Sequence, residues 1–234
     1  FTYAHNKVLE YDEPDFQKYP NISRVGHSVD QQLLYIAERL FIDDSEVQRN
    51  PKQNLGGWVS GGDIKYKNLP DVNGNYDNVI DSNDRQYTGM PTTPEIVYGF
   101  GPSFRYKKFD FSFFFQGAAR VSIMMNGIHP FGAEGTRNVL QFIADDYWSE
   151  TNQNIYAEYP RLSKRDNENN TKASTYWQRN GAFLKLKNLE VGFNHKFFRV
   201  YLRGSNLLTF SPFKYWDPEM GSGSGLSYPT QRVF

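Results

Sequence analysis

The sequence predicts an all-β fold of antiparallel hairpins. Of the two architectures such hairpins serve, it favours part of a large transmembrane β-barrel with long extracellular loops over a soluble sandwich. Three observations carry this. Aromatic residues make up 17% of the 234 residues, with 19 Phe and 16 Tyr, well above the share usual in soluble domains. Two stretches alternate apolar and polar residues with period two around very short turns. Between them, from about 117 to 181, lies a stretch with little strand pattern. A structureless insert of that length is unusual in a compact domain and ordinary for the extracellular loop of a barrel whose other end has tight turns.

The first stretch is VYGFGPSFRYKKFDFSFFFQ, residues 97–116. Tyr98, Phe100, Phe104 and Tyr106 share one phase, while Val97, Gly99, Gly101, Ser103 and Arg105 share the other. A two-residue turn at Lys107-Lys108 pairs Tyr106 with Phe109, Phe104 with Phe111 and Phe100 with Phe115, and sets Arg105 opposite Asp110 on the other face. The second stretch, LEVGFNHKFFRVYLR at 189–203, turned at His195-Lys196, pairs Phe193 with Phe198, Val191 with Val200 and Leu189 with Leu202. Leu184 and Leu186 fall on the opposite phase, which predicts a bulge near Lys187-Asn188. The amino-terminal FTY reads as the end of a strand. Residues 30–49 read as helical or mixed, with DDSEV as a helix-cap signal. In a sandwich the apolar faces would look inward, and in a barrel they look out at lipid. Alternation alone does not choose between these; the unequal connections do.

Composition removes several functions. The net charge is zero and the pI about 7.1, without a basic stripe, so no nucleic-acid partner is expected. The absence of Cys excludes disulfides, thiolate zinc sites and thiol catalysis. No apolar run reaches the ~18 residues of a membrane helix, and mean hydropathy is −0.68, a value that alternating barrel strands also give. GSGSG at 221–225 is a loop without the helix and Lys of a phosphate site.

Six motifs in order, FTYAHNKVLEYDEP, GHSVDQQLLYIAERLF, GGDIKYKNLPDVNG…VIDSNDR, YGFGPSFRYKKFDFSFFFQG, YWQRNGAFLKLKNLEVGF and YLRGSNLLTF…YWDPEM, resemble the carboxy-terminal part of SusC/RagA-type TonB-dependent transporters of the Bacteroidetes outer membrane. The resemblance covers nearly the whole chain. It implies a 22-stranded barrel with an internal plug, a SusD-like lipoprotein lid, contact with outer-membrane lipid, and TonB-energised import of glycans or peptides. On that reading residues 1–234 are a carboxy-terminal barrel portion, with the plug, the TonB-contacting segment and the earlier strands preceding Phe1. The family's final strand would follow the YP…R.F motif, here YPTQRVF.

The Asp- and Asn-rich loop DVNGNYDNVIDSNDR, 71–85, is the sequence's candidate metal site. Counted back from Asp84 as position 12, an EF-hand-like frame puts oxygen ligands at Asn73, Asn75, Asp77 and Asp81, with the Val79 carbonyl at position 7. The family version of the loop would make Asp71 the first ligand. The readings left open are a weak Ca²⁺ site, with no cofactor required, and a metal-free polar turn. No catalytic site is expected, because His5, His27, His129 and His195 are dispersed and no carboxylate pair is nominated. Trp148, Trp177 and Trp216 are candidates for contact with a sugar or the lid, against a plainer role in loop packing. The competing functions are a soluble calcium-binding, carbohydrate-recognising β-domain and a glycosidase; an apolar lipid-facing face, which in water would be an exposed patch, separates both from a transporter.

Overall fold

The structure, a computed structural model, describes residues 1–128, 130, 138–164 and 167–234. In chain order the elements are β1 (Thr2–Tyr3), β2 (Gln32–Tyr35), β3 (Ala37–Leu40), α1 (Asp44–Arg49), β4 (Lys52–Gln53), β5 (Ile64–Tyr66), β6 (Val79–Ile80) and β7 (Arg85–Thr88). There follow β8 (Ile96–Phe100), β9 (Ser103–Tyr106), β10 (Phe109–Ala119), β11 (Ser122–Met124), α2 (Gln141–Asp145), α3 (Glu168–Thr171), β12 (Gln178–Asn180), β13 (Phe183–His195) and β14 (Phe198–Phe210). The chain divides into two compact units: Phe1–His5, Met90–Met124 and Arg179–Phe234 form the first, Asn6–Gly89 and Met125–Gln178 the second.

The first unit is an antiparallel sheet in the order β1-β8-β10-β13-β14, with β9 also on β10. The first hairpin has the register the sequence predicts: Tyr106 faces Phe109, Arg105 faces Asp110, Phe104 faces Phe111 and Ser103 faces Ser112, and Phe100 faces Phe115. The second differs by one turn position. His195 pairs with Phe198, Phe193 with Val200 and Val191 with Leu202, so the turn lies at Lys196-Phe197. The His195 ring stacks on Phe198 at 4.8 Å and leaves Phe197 at the tip, 81% exposed. A shift of two residues keeps every side chain on its predicted face. The predicted bulge is present: register breaks on both sides of Lys187.

The second unit is held by short ribbons, β2 on β7, β3 on β5 and β4 parallel to β6. Residues 32–40, expected to be helical or mixed, are strands. Local propensity yields there to long-range backbone bonds, among them Tyr35 N–H to the Ala173 carbonyl (3.1 Å) and Leu40 N–H to the Ile155 carbonyl (2.9 Å). The expected cap is real but opens the later helix α1, where the Asp43 carboxylate accepts from Glu46 N–H at 2.8 Å. At the same place Glu46 accepts from Arg39 (2.5 Å) and Lys65 (3.1 Å). Burial alone would raise its carboxyl, but these bonds outweigh it and hold the group at about 2.

Around Leu34, Leu40, Phe41, Ile64 and Tyr66, all nearly or fully buried, lies a hub of amides. Gln53 Nε2 donates to the Ile64 carbonyl (2.9 Å) and to Asn169 Oδ1 (2.7 Å), and Gln53 Oε1 accepts from Tyr66 N–H (2.6 Å). Asn170 Oδ1 accepts from Ile64 N–H (2.9 Å), and Asn170 Nδ2 donates to Asp63 (2.8 Å). Side-chain amides thus satisfy the edge of β5 that, among the described residues, no strand covers. Asn169→Ala removes one of the two acceptors of Gln53 Nε2 and one of the two amide donors to the Ile64 carbonyl. Each stranded buried group costs about 1–3 kcal/mol, so amide exchange at Ile64 and Tyr66 in the intact protein is expected to accelerate; unchanged protection there would show the hub to be dispensable.

Candidate functional site

Alternation along the sheet of the first unit creates two unlike faces. On one, Phe100 stacks on Phe115 (ring centroids 5.3 Å) and Phe104 on Phe111 (6.4 Å), and Phe113 bridges Phe111 and Phe115 at 5.7 Å to each. The face continues through Val191, Val200, Leu202, Leu208 and Phe210, all exposed, with Leu202 80% so. A contiguous apolar face of this size is not left to water by a soluble monomer. β10 has 11 residues and β13 and β14 have 13 each, enough for the ~9–11 residues of a spanning strand. This is the wall of a transmembrane barrel, with its rings toward lipid.

The opposite face is polar. Arg199 reaches Asp110 and Glu190, both at 2.6 Å, and Glu190 faces Arg203 across the ladder. The Phe114 ring lies on this side. A methyl group at Gly99 or Gly101 would meet it at 2.8 Å, which explains two small residues in an aromatic strand. The chain leaves the sheet for long connections at the end marked by Ile96, Ala119 and Phe183, while the tight turns at Lys107-Lys108 and Lys196-Phe197 close the other end.

Near the first of these ends, Lys185 is fully buried on the polar face. Its ammonium donates to Asp217 (2.6 Å) and Glu219 (2.5 Å), and Lys187 donates to Glu219 at 2.8 Å. The bonds tie the turn 217–221 across the strand. Burial would raise the Asp217 and Glu219 carboxyls, yet the Lys185 hydrogen bonds hold both below the usual range. Sequence reasoning missed this cluster. Its signal is a Lys between Leu184 and Leu186 on the polar phase, with the acidic pair of DPE downstream.

The predicted site residues are not gathered at one place. Trp177 is buried, its indole N–H donating to the Asn170 carbonyl at 2.7 Å. Trp148, also buried, lies over Gly62, whose φ of +81° and missing side chain admit the ring. Trp216 packs edge-on against Phe213 at 4.6 Å and donates to the Gly221 carbonyl. Packing is what all three do here. The exposed indole is Trp58, 69% accessible and covered on one face by Arg161 at 4.4 Å, a residue marked in sequence by its glycine-rich setting.

In the 71–84 loop each acid faces backbone. Asp71 accepts from Asn73 and Asn75 N–H, Asp77 from Val79, Asp81 from Asn83, and buried Asp84 from Leu69 (2.6 Å) and Asp81 (2.8 Å). Asn75 lends its amide to Asp71 as well, and Asn73 enters through its backbone. Burial raises the Asp84 carboxyl. Among the described residues no group of three or more His, Cys, Asp or Glu side chains is placed to hold a metal. His5 pairs with Glu95 at 2.5 Å, and His129 lies outside the described residues.

The two faces make opposite demands on a lysine. Phe113→Lys, near the middle of β10, is expected to cost about 2–4 kcal/mol in a bilayer, whereas Ser112→Lys, facing Glu190, is expected to stay within about 0.5 kcal/mol. Denaturant titration of the intact protein in lipid vesicles measures both. Equal losses would remove the assignment of the faces.

No family model matches the chain. TonB-dependent receptor P3 of Formosa agariphila is 31% identical over 263 aligned residues, covering 100% of this chain and 25% of the receptor. TonB-dependent receptor P26 of the same bacterium is 29% identical over 243, covering 94% and 23%. The chain therefore spans about a quarter of the length of the curated relatives it matches. Among solved structures, the RagAB peptide transporter superposes with a TM-score of 0.63 at 19% identity, over 96% of this chain and 23% of that one. The RagAB peptide importer gives 0.60 in its open-open state, at 18% identity over 95% and 23%, and 0.61 in its closed-closed state, at 19% over 96% and 24%. An amphipathic barrel wall and alignment along the whole chain make this protein a relative of the TonB-dependent receptors, and its fold is the one RagAB has over the matched quarter.

Proposed function

We propose that the chain is the carboxy-terminal barrel portion of an outer-membrane importer that takes up glycans or oligopeptides, driven by the TonB complex through other parts of the receptor and covered by a SusD-like lipoprotein lid. The observation that carries the reading is the sheet with rings on one face and a charged network on the other, the pattern of a lipid-embedded wall around an aqueous passage. The relatives named TonB-dependent receptors and the solved RagAB peptide importer support it. On this reading the protein binds and moves its substrate and hydrolyses nothing.

Uptake decides it. Cells carrying the intact receptor are expected to accumulate labelled oligosaccharides or oligopeptides, to stop when the proton-motive force is collapsed, and to yield the lipoprotein on gentle purification. Uptake that persists without the receptor, or hydrolysis by the pure receptor that is lost with a single carboxylate, would overturn the reading.

The weak Ca²⁺ site at Asp71, Asn73, Asn75, Asp77, Asp81 and Asp84 belongs to the same proposal, as a support of loop shape: its ligands are hard oxygens of reduced charge, suited to affinities of about 10⁻⁴–10⁻³ M. Calorimetric titration of the intact receptor is expected to register calcium at millimolar levels. A flat titration, with the loop still ordered in chelator, removes the metal.

A further inference from the structure

We infer that the polar face of the sheet carries a subsite for an apolar side chain of an oligopeptide, in a cavity of about 310 Å³ at the end where the long connections leave. The inference rests on the import reading and narrows its substrate class. The ladder places the walls. Val97 pairs with Ala118 and Ala118 with Phe183, so the three form one row across β8, β10 and β13. They lie on the face of Lys185 and Asp110, away from the Phe100–Phe115 stack. Val121 and Ile123 complete the lining. Ala118, Val121 and Ile123 are buried, and Val97 is 43% exposed, at the rim.

The polar groups of the cavity are mostly engaged elsewhere. Both oxygens of Glu219 are held by Lys185 and Lys187, and the Ser122 hydroxyl accepts from Met90 N–H at 3.1 Å. Gln116, two residues from Ala118 and so on the same face, supplies an amide suited to a single peptide group beside the cavity. A pyranose carries hydroxyls around its whole ring, and most would lose water here without gaining a partner. An aliphatic or aromatic side chain loses nothing on entry and is drawn in by burial. At about 310 Å³ the space lies at the small end of ligand sites, the scale of one side chain and not of an oligomer.

The test uses the intact receptor in detergent and three uncapped pentapeptides, Ser-Gln-Ala-Gln-Ser and its counterparts with Leu or Phe at the centre, measured by calorimetry. Leu and Phe peptides are expected to bind at least about tenfold tighter than the Ala parent. Val97→Trp fills the cavity from its exposed rim with a residue that suits a strand, and is expected to abolish that gain, so that the Leu and Phe peptides bind no tighter than the Ala peptide. Phe183→Ala, which enlarges the wall, is expected to extend the preference to a Trp-centred peptide. A Leu peptide that binds no better than the Ala parent, or a gain that survives Val97→Trp, overturns the subsite. Labelled-peptide uptake by cells separates the two readings. Import with the same side-chain preference in the Val97→Trp receptor removes the subsite and leaves the importer, whereas uptake that does not depend on the receptor removes the importer as well.

Discussion

Hydrogen bonds on both edges of β10 hold its residues in a single register, with β8 and β9 on one side and β13 on the other. Because side chains alternate, that register alone sends Phe111, Phe113 and Phe115 to one face and Asp110, Ser112 and Gln116 to the other. A slip of one residue would exchange the faces and put carboxylates toward lipid, so the apolar environment and the ladder enforce the same pairing. The ionic network depends on this too: Arg199 can bridge Asp110 and Glu190 only because β10, β13 and β14 are aligned as they are.

The second unit obeys a different rule. Leu34, Leu40, Phe41, Ile64 and Tyr66 form a buried core, and the order of its short ribbons comes from buried amides that satisfy strand edges. Gln53, Asn169 and Asn170 each engage partners far along the chain, and Asp63, fully buried, is neutralised by Arg161 at 2.7 Å. Such networks are costly when half satisfied and specific when complete, which suits a unit assembled from two separate stretches of chain.

What the sequence made legible follows this division. In the first unit alternation is a strong signal, and hairpin, faces and bulge could be read directly. The turn lies at Lys196-Phe197, one position beyond the expected one, because a two-residue shift preserves every face; in the observed register His195 stacks on Phe198. In the second unit the bonds that make residues 32–40 extended come from Ile155 and Ala173, over a hundred residues away and beyond any local pattern. How the tryptophans sit was not legible for a related reason. Whether Trp148 presents its ring or buries it depends on Gly62, a distant residue with room beneath the indole. Lys185 escaped notice because a charged residue on the polar phase of a strand is ordinarily solvated, and its burial comes from the 217–221 turn.

The extra residue at Lys187 has a mechanical meaning. β13 carries one unpaired residue there, and β14 answers with the interruption between Ser205 and Leu208, where Asn206 adopts φ +56°. Bulges increase local right-handed twist and bend the strand that bears them, and a sheet closes into a cylinder only if its strands coil. The curvature of this stretch of wall is therefore set within the β13–β14 hairpin itself, by two adjacent irregularities, so that a flat ribbon is not available to the chain even before its neighbours in the barrel are in place.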